Sequence, residues 1–179
     1  EELMKKFNLR IIAGFNQVNR KITQPEVHRP GLEFVGYFDF FPMERVQVLG
    51  RKEIAYLHTL NKEERQMRIG NIVNYHPPCF IVTDGQDGLT YLTRYCNEEG
   101  IPLFITNEPT SEFIAKINAY LMKTLAEEMT IHGVCLNVSG MGILLRGKSG
   151  IGKSETAHTL IGRGHRLVAD DAVVLKKLS

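Results

Sequence analysis

The chain has 179 residues, 43% of them hydrophobic, with 22 Lys and Arg against 20 Asp and Glu for a net charge of +2. That length suits one sizeable core or two small ones, and the composition is that of a globular protein rather than a disordered one. The near balance of charge excludes the broad positive field of a nucleic-acid binder, so partners must be chosen by local sites.

Cys79, Cys96 and Cys135 are scattered, odd in number and off any metal-ligand spacing. They read as buried free thiols of a reducing compartment. No stretch reaches the ~18 consecutive apolar residues of a membrane span, and EELMKKFNLRIIAGF lacks the apolar run and cleavage site of a secretory leader. A cytoplasmic protein without a membrane or nucleic-acid partner is expected.

In chain order, VQVLG (46–50), CFIVT (79–83) and PLFIT (102–106) are short β-rich apolar runs bounded by Gly, Pro or Asn. Such runs suit strands of a parallel sheet buried on both faces. Between the first two, Asn61 caps a predicted helix, Glu64 stands at the capping-box position, and Ile69, Ile72 and Val73 recur at helical spacing. Between the second and third, Leu89, Leu92 and Cys96 share one helical face, and Gly100 is suited to a C-terminal cap. Strand, helix, strand, helix, strand is a small α/β domain.

A longer periodic segment follows. From Thr110 as candidate cap, Phe113, Ile114, Ile117, Tyr120, Leu121 and Leu125 form an apolar stripe, predicting a helix of about five turns that links to a second domain. The expected division is 1–129 and 130–179. The second domain opens with Val134, Leu136 and Val138 alternating in a strand that His132 begins. A Gly140-Met141-Gly142 turn and an Ile143, Leu144, Leu145 strand come next. No internal repeat or low-complexity stretch is present.

Gly147-Lys148-Ser149-Gly150-Ile151-Gly152-Lys153-Ser154 fits G-x-x-x-x-G-K-[ST]. Glycines let backbone N–H groups converge on phosphate oxygens, the lysine reaches the terminal phosphates, and the hydroxyl ligates Mg²⁺. The context agrees: an apolar strand precedes the loop, and a helix with an Ala157, Leu160, Ile161 stripe follows, its N-terminus directed at the anion. Gly162-Arg163-Gly164 ends that helix, and Arg166 to Ala169 reads as a strand running into Asp170-Asp171. Consecutive strand residues face opposite ways, so both carboxylates reach one site only if the strand ends there. One aspartate is then suited to Mg²⁺ and the other to accepting a proton from an attacking hydroxyl. A solvated acidic turn is the plain alternative. His132 is a candidate for the same chemistry; His28, His58, His76, His158 and His165 have weaker claims.

The run IHGVCLNVSGMGILLRGKSGIGKSETAHTLIGRGHRLVADDAVVL (131–175) resembles bacterial HPr kinase/phosphorylase in the order and wording of its motifs. HRPGLEFVGYF (28–38) resembles that family's N-terminal domain, so the likeness covers nearly the whole chain. The resemblance implies an α/β protein: a small Mur-ligase-like N-terminal domain, then the start of a P-loop kinase domain similar to phosphoenolpyruvate carboxykinase. It implies an enzyme that phosphorylates a serine of HPr, the phosphocarrier protein of the sugar phosphotransferase system, from ATP or pyrophosphate. The same enzyme removes that phosphate by phosphorolysis, yielding pyrophosphate, and assembles as a hexamer.

Carried onto this sequence, Gly147 to Ser154 bind nucleotide or pyrophosphate, with Lys153 on the transferred phosphate and Ser154 on Mg²⁺. Asp170 and Asp171 contain the acid/base, with Asp171 favoured, and His132 matches the family's active-site histidine, tuning or orienting that carboxylate. Lys148 stands where many relatives have Asp. The family's chains also run more than a hundred residues further, with another Mg²⁺-ligating glutamate, an arginine and HPr-gripping helices, so residues 1–179 alone are expected to turn over poorly. Two rival readings are a P-loop kinase for a small molecule and a non-catalytic regulatory or assembly unit.

Overall fold

The computed structural model describes residues 1–177, which form two compact units, the first Glu1–Leu125 and the second beginning at Ala126. The first unit runs α1 (Glu2–Lys6), β1 (Arg10–Ala13), β2 (Val27–His28), β3 (Val46–Leu49), α2 (Arg51–Thr59), α3 (Lys62–Val73), β4 (Phe80–Val82), α4 (Thr90–Glu98), β5 (Leu103–Ile105) and α5 (Thr110–Thr124). Its sheet has the order β1-β5-β4-β3-β2, with β2 to β5 parallel and β1 antiparallel on the edge. The three apolar runs expected to be strands are therefore the three inner ones.

Each inner strand is covered on both faces, which explains their uninterrupted hydrophobicity. Leu49, Phe80, Val82 and Leu103 pack with Ile54, Leu57, Ile69, Ile72 and Leu92 from α2, α3 and α4. Val46, Val48, Ile81 and Phe104 turn the other way, onto Phe7 and onto Phe113, Ile117 and Leu121 of α5. Burial pushes the Cys79 thiol up to about 12, and Cys96, also buried, up to about 12. Cys135 is only half-buried, because it lies on a thinner sheet than the other two.

Several local expectations change. Helix α2 is absent from the pattern reading because Gly50, a strand terminator by sequence, precedes it, and Glu53 closes its first turn by accepting from Gly50 N at 2.7 Å. Asn61 does cap α3, its Oδ1 accepting from Glu64 N at 2.8 Å. Thr110 is the first residue of α5 rather than its cap; Pro109 precedes the helix, which spans 15 residues, about four turns. The Thr110 hydroxyl is turned to Asp84, donating to Oδ2 at 2.5 Å, and meets the Thr83 hydroxyl at 2.7 Å. The bond from the Thr110 hydroxyl holds the Asp84 carboxyl below the usual carboxylate range. Among the described residues no helix is long and apolar enough to cross a membrane.

The second unit comprises β6 (Glu128–His132), β7 (Val134–Val138), β8 (Met141–Leu145), α6 (Lys153–Gly162), β9 (Arg166–Ala169) and β10 (Ala172–Lys176). The expected division between 129 and 130 falls inside β6. β7 is the centre of an antiparallel sheet ordered β8-β7-β9, and β6 pairs antiparallel with β10 as a separate ribbon. Val134, Leu136 and Ala157 form the small core, with Val138, Leu145 and Leu160 packed against it.

His132 does not begin β7: it ends β6, and the chain breaks direction at Gly133 before β7 starts. A β-carbon on Gly133 would stand 2.5 Å from the Leu145 carbonyl oxygen. Only glycine permits that approach without moving backbone.

Candidate functional site

The phosphate-type loop lies between β8 and α6. Gly150 (φ +78°) and Gly152 (φ +97°) take left-handed conformations, and Gly152 is the residue on which α6 begins. The first helical bond runs from Thr156 N to Gly152 O, so the N–H groups of Lys153, Ser154 and Glu155 are left free of intrahelical partners. They sit at the positive end of a ten-residue helix, the arrangement that receives phosphate oxygens. Lys153 Nζ folds over the loop and donates to the carbonyls of Gly147 and Lys148, both at 2.9 Å.

The aspartates arrive from β9, which ends at Ala169. Asp171 has φ +68°, a left-handed turn that aspartate tolerates better than most residues, and this breaks strand alternation immediately after Asp170. Both aspartates therefore line one cleft, as the alternation argument required. Asp170 Oδ1 accepts from Asp171 N at 2.9 Å. The Asp171 carbonyl accepts from Gly133 N at 3.1 Å and lies 3.3 Å from His132 Nδ1. A carbonyl only accepts, so the bond to it fixes Nδ1 as the protonated ring nitrogen and leaves Nε2 available. The Asp170-Asp171 turn and the β6–β7 junction thus hold each other across 39 residues of chain.

The result is one cleft of about 440 Å³ lined by His132, Gly133, Val134, Gly147, Ser149, Gly150, Gly152, Lys153, Ser154, Glu155, Asp170 and Asp171. Of the candidate residues, the structure brings together His132, Lys153, Ser154, Asp170, Asp171 and the loop positions Gly147, Ser149, Gly150 and Gly152. Lys148 and Ile151 belong to the loop but not to the lining, and Ile151 is mostly exposed. Three lining residues carry no site role in the motif reading: Gly133 and Val134, whose signal was their place in His-Gly-Val, and Glu155, directly after the loop hydroxyl. The donor set of a hydroxyl and carboxylates is hard oxygen, the chemistry Mg²⁺ prefers.

Residues 1–121 match the family described as HPr Serine kinase N terminus, and residues 123–179 the HPr Serine kinase C-terminal domain. The chain belongs to the HPr serine kinase family. A protein of Oceanobacillus iheyensis with the provisional name HPr kinase/phosphorylase 2 is 65% identical over all 179 residues, which span 58% of its length. An HPr kinase/phosphorylase of Bacillus cereus is 38% identical over 99% of this chain and 57% of its own. The chain thus spans little more than half the length of those relatives. The CBS and DRTGG domains of the regulatory region of Clostridium perfringens pyrophosphatase, solved with diadenosine tetraphosphate, align over 66% of this chain and 45% of theirs. Their 12% identity and TM-score of 0.46 are too slight to bear on the fold.

Proposed function

We propose that the cleft of the second unit binds ATP or pyrophosphate and transfers a phosphoryl group to a serine of HPr, and that it also runs the phosphorolysis of phosphoseryl-HPr. The carrying observation is that the loop amides, Lys153 and both aspartates open onto one cleft. The names of the relatives support HPr as the substrate, and the groups of the cleft suit phosphoryl transfer.

In the forward direction the serine hydroxyl attacks the terminal phosphorus, its proton passes to an aspartate, and ADP or phosphate leaves. In reverse, inorganic phosphate attacks phosphoserine, the same aspartate returns the proton to the departing serine oxygen, and pyrophosphate forms. One set of residues serves both because phosphorolysis is the microscopic reverse of the pyrophosphate-dependent transfer, and the ATP reaction differs from that transfer only in its leaving group, ADP in place of phosphate. Asp171 is the better base: one Asp170 oxygen already accepts from Asp171 N, and no such bond occupies the Asp171 carboxylate among the described residues. His132 acts on it through position, anchored to the Asp171 carbonyl.

Ser154 and Asp170 are the residues to hold Mg²⁺, which when bound neutralises charge on the transferred group. Lys153 must leave the loop carbonyls for the phosphate as it binds.

Incubating the full-length protein with HPr and labelled ATP tests this reading. Label on a serine of HPr supports it; an unlabelled HPr with a labelled small molecule would replace it by a metabolite kinase. A hexameric assembly and cytoplasmic location belong to the same proposal and are checked by light scattering and fractionation.

A further inference from the structure

The cleft holds one acid to which the phosphate-loop motif gives no role. Glu155 is the third residue of α6 and lines the cleft with Asp170 and Asp171. A β-carbon on Gly152 would stand 3.7 Å from Glu155 Oε2, so the carboxylate bends back over the residue that opens the helix. A glutamate three positions into a helix is drawn there by free N–H groups and by the positive helix end. Those are the groups a phosphate would use, so the carboxylate stands beside the place an anionic ligand would occupy. The charge count is adverse in the same sense: three lining carboxylates, Glu155, Asp170 and Asp171, face the single ammonium of Lys153.

We infer that Glu155 is a specificity residue that makes the cradle discriminate against metal-free polyphosphate in favour of the metal-complexed form. The inference rests on reading the cleft as a polyphosphate site. A bare pyrophosphate adds its full negative charge beside three carboxylates, and repulsion raises its dissociation constant. With Mg²⁺ bound, two of those charges are cancelled and the metal stands between the phosphates and the carboxylates, so the glutamate's charge opposes binding far less. Selection comes from a repulsive element aimed at the wrong form, not from an added contact with the right one.

Isothermal titration of the full-length protein with pyrophosphate, once in chelator and once in saturating Mg²⁺, tests this. Glu155→Gln, which keeps size and exposure but removes the charge, is expected to tighten metal-free binding about tenfold, as one removed charge at close range implies. Binding with Mg²⁺ should change by less than about threefold, so the ratio of the two constants falls. Glu155→Asp, which keeps the charge, should retain most of the wild-type ratio, and Glu155→Ser is measured alongside as a second uncharged variant suited to a helix start. An unchanged ratio in both uncharged variants overturns the inference. Equal loss of binding in both conditions also overturns it, making Glu155 part of the binding shell. Lys153→Ala separates the underlying reading: wild-type affinity in that variant removes the polyphosphate cradle itself, whatever Glu155 does.

Discussion

The two units of the chain divide stability and chemistry unequally. In Glu1–Leu125 a parallel sheet is buried on both faces, with Phe80, Ile81, Leu103, Phe113 and Ile117 all at 2% exposure or less. In the second unit Val134, Leu136, Ala157 and Val173 are the buried apolar side chains among the described residues, yet every lining residue of the candidate cleft is here. A deep core tolerates few substitutions but offers no reactive groups. The thin unit keeps its charged side chains solvated and holds them by backbone geometry: left-handed turns at Gly150, Gly152 and Asp171, and the close approach at Gly133. Substitutions in the first unit should therefore read out as stability, and those in the second as transfer.

The sharpest expected separation is Asp171→Asn in the full-length protein. It should lower phosphoryl transfer about 10²- to 10⁴-fold, the usual worth of a positioned general base, while nucleotide binding stays near wild type. Equal loss of both would move Asp171 to the binding shell. Phe113→Ala, at the centre of the opposite unit, should cost about 3–5 kcal/mol in denaturant unfolding of that unit. Below the lowered midpoint, pyrophosphate titration should still give wild-type affinity; a parallel loss of affinity would blur the division.

Gly133→Ala tests whether backbone geometry positions the acid. The added methyl must displace the Leu145 carbonyl, an overpacking that costs about 1–3 kcal/mol and shifts the amide donating to the Asp171 carbonyl. Transfer should fall more than pyrophosphate affinity, and an unaffected rate in a folded variant would show that the Gly133 bond is dispensable.

The smallest effect concerns Asp84. Its folded-state carboxyl is held low, first by the Thr110 hydroxyl, so its stabilisation is present above the unfolded value of about 4 and is lost as pH falls through the folded one. Thermal melts of wild type should therefore lose stability in that acid range more steeply than those of Asp84→Asn. Parallel pH profiles would contradict the assignment.

The two units differ in how much of their structure the residue pattern carries, for physical reasons. Val46–Leu49, Phe80–Val82 and Leu103–Ile105 were legible as inner strands because double-sided burial leaves an unbroken apolar run. β2 spans only two residues, and α2 is opened by a glutamate reaching back to a glycine, so neither carries a conventional signal. The ribbon of β6 and β10 was hidden because its residues are mostly exposed and its register joins segments some forty positions apart.

Within the site, the phosphate loop was legible since its chemistry is local to eight consecutive residues. That Asp170 and Asp171 share a cleft depends on one left-handed dihedral. That His132 meets the Asp171 carbonyl depends on the bend at Gly133, and neither follows from spacing.

The most direct test of the shared cleft is Lys153→Ala in the full-length protein, assayed with HPr for phosphorylation and with phosphoseryl-HPr for phosphorolysis. Both activities should disappear together, since one ammonium serves both directions. A variant that loses the kinase reaction but phosphorolyses phosphoseryl-HPr at the wild-type rate would contradict a single cradle.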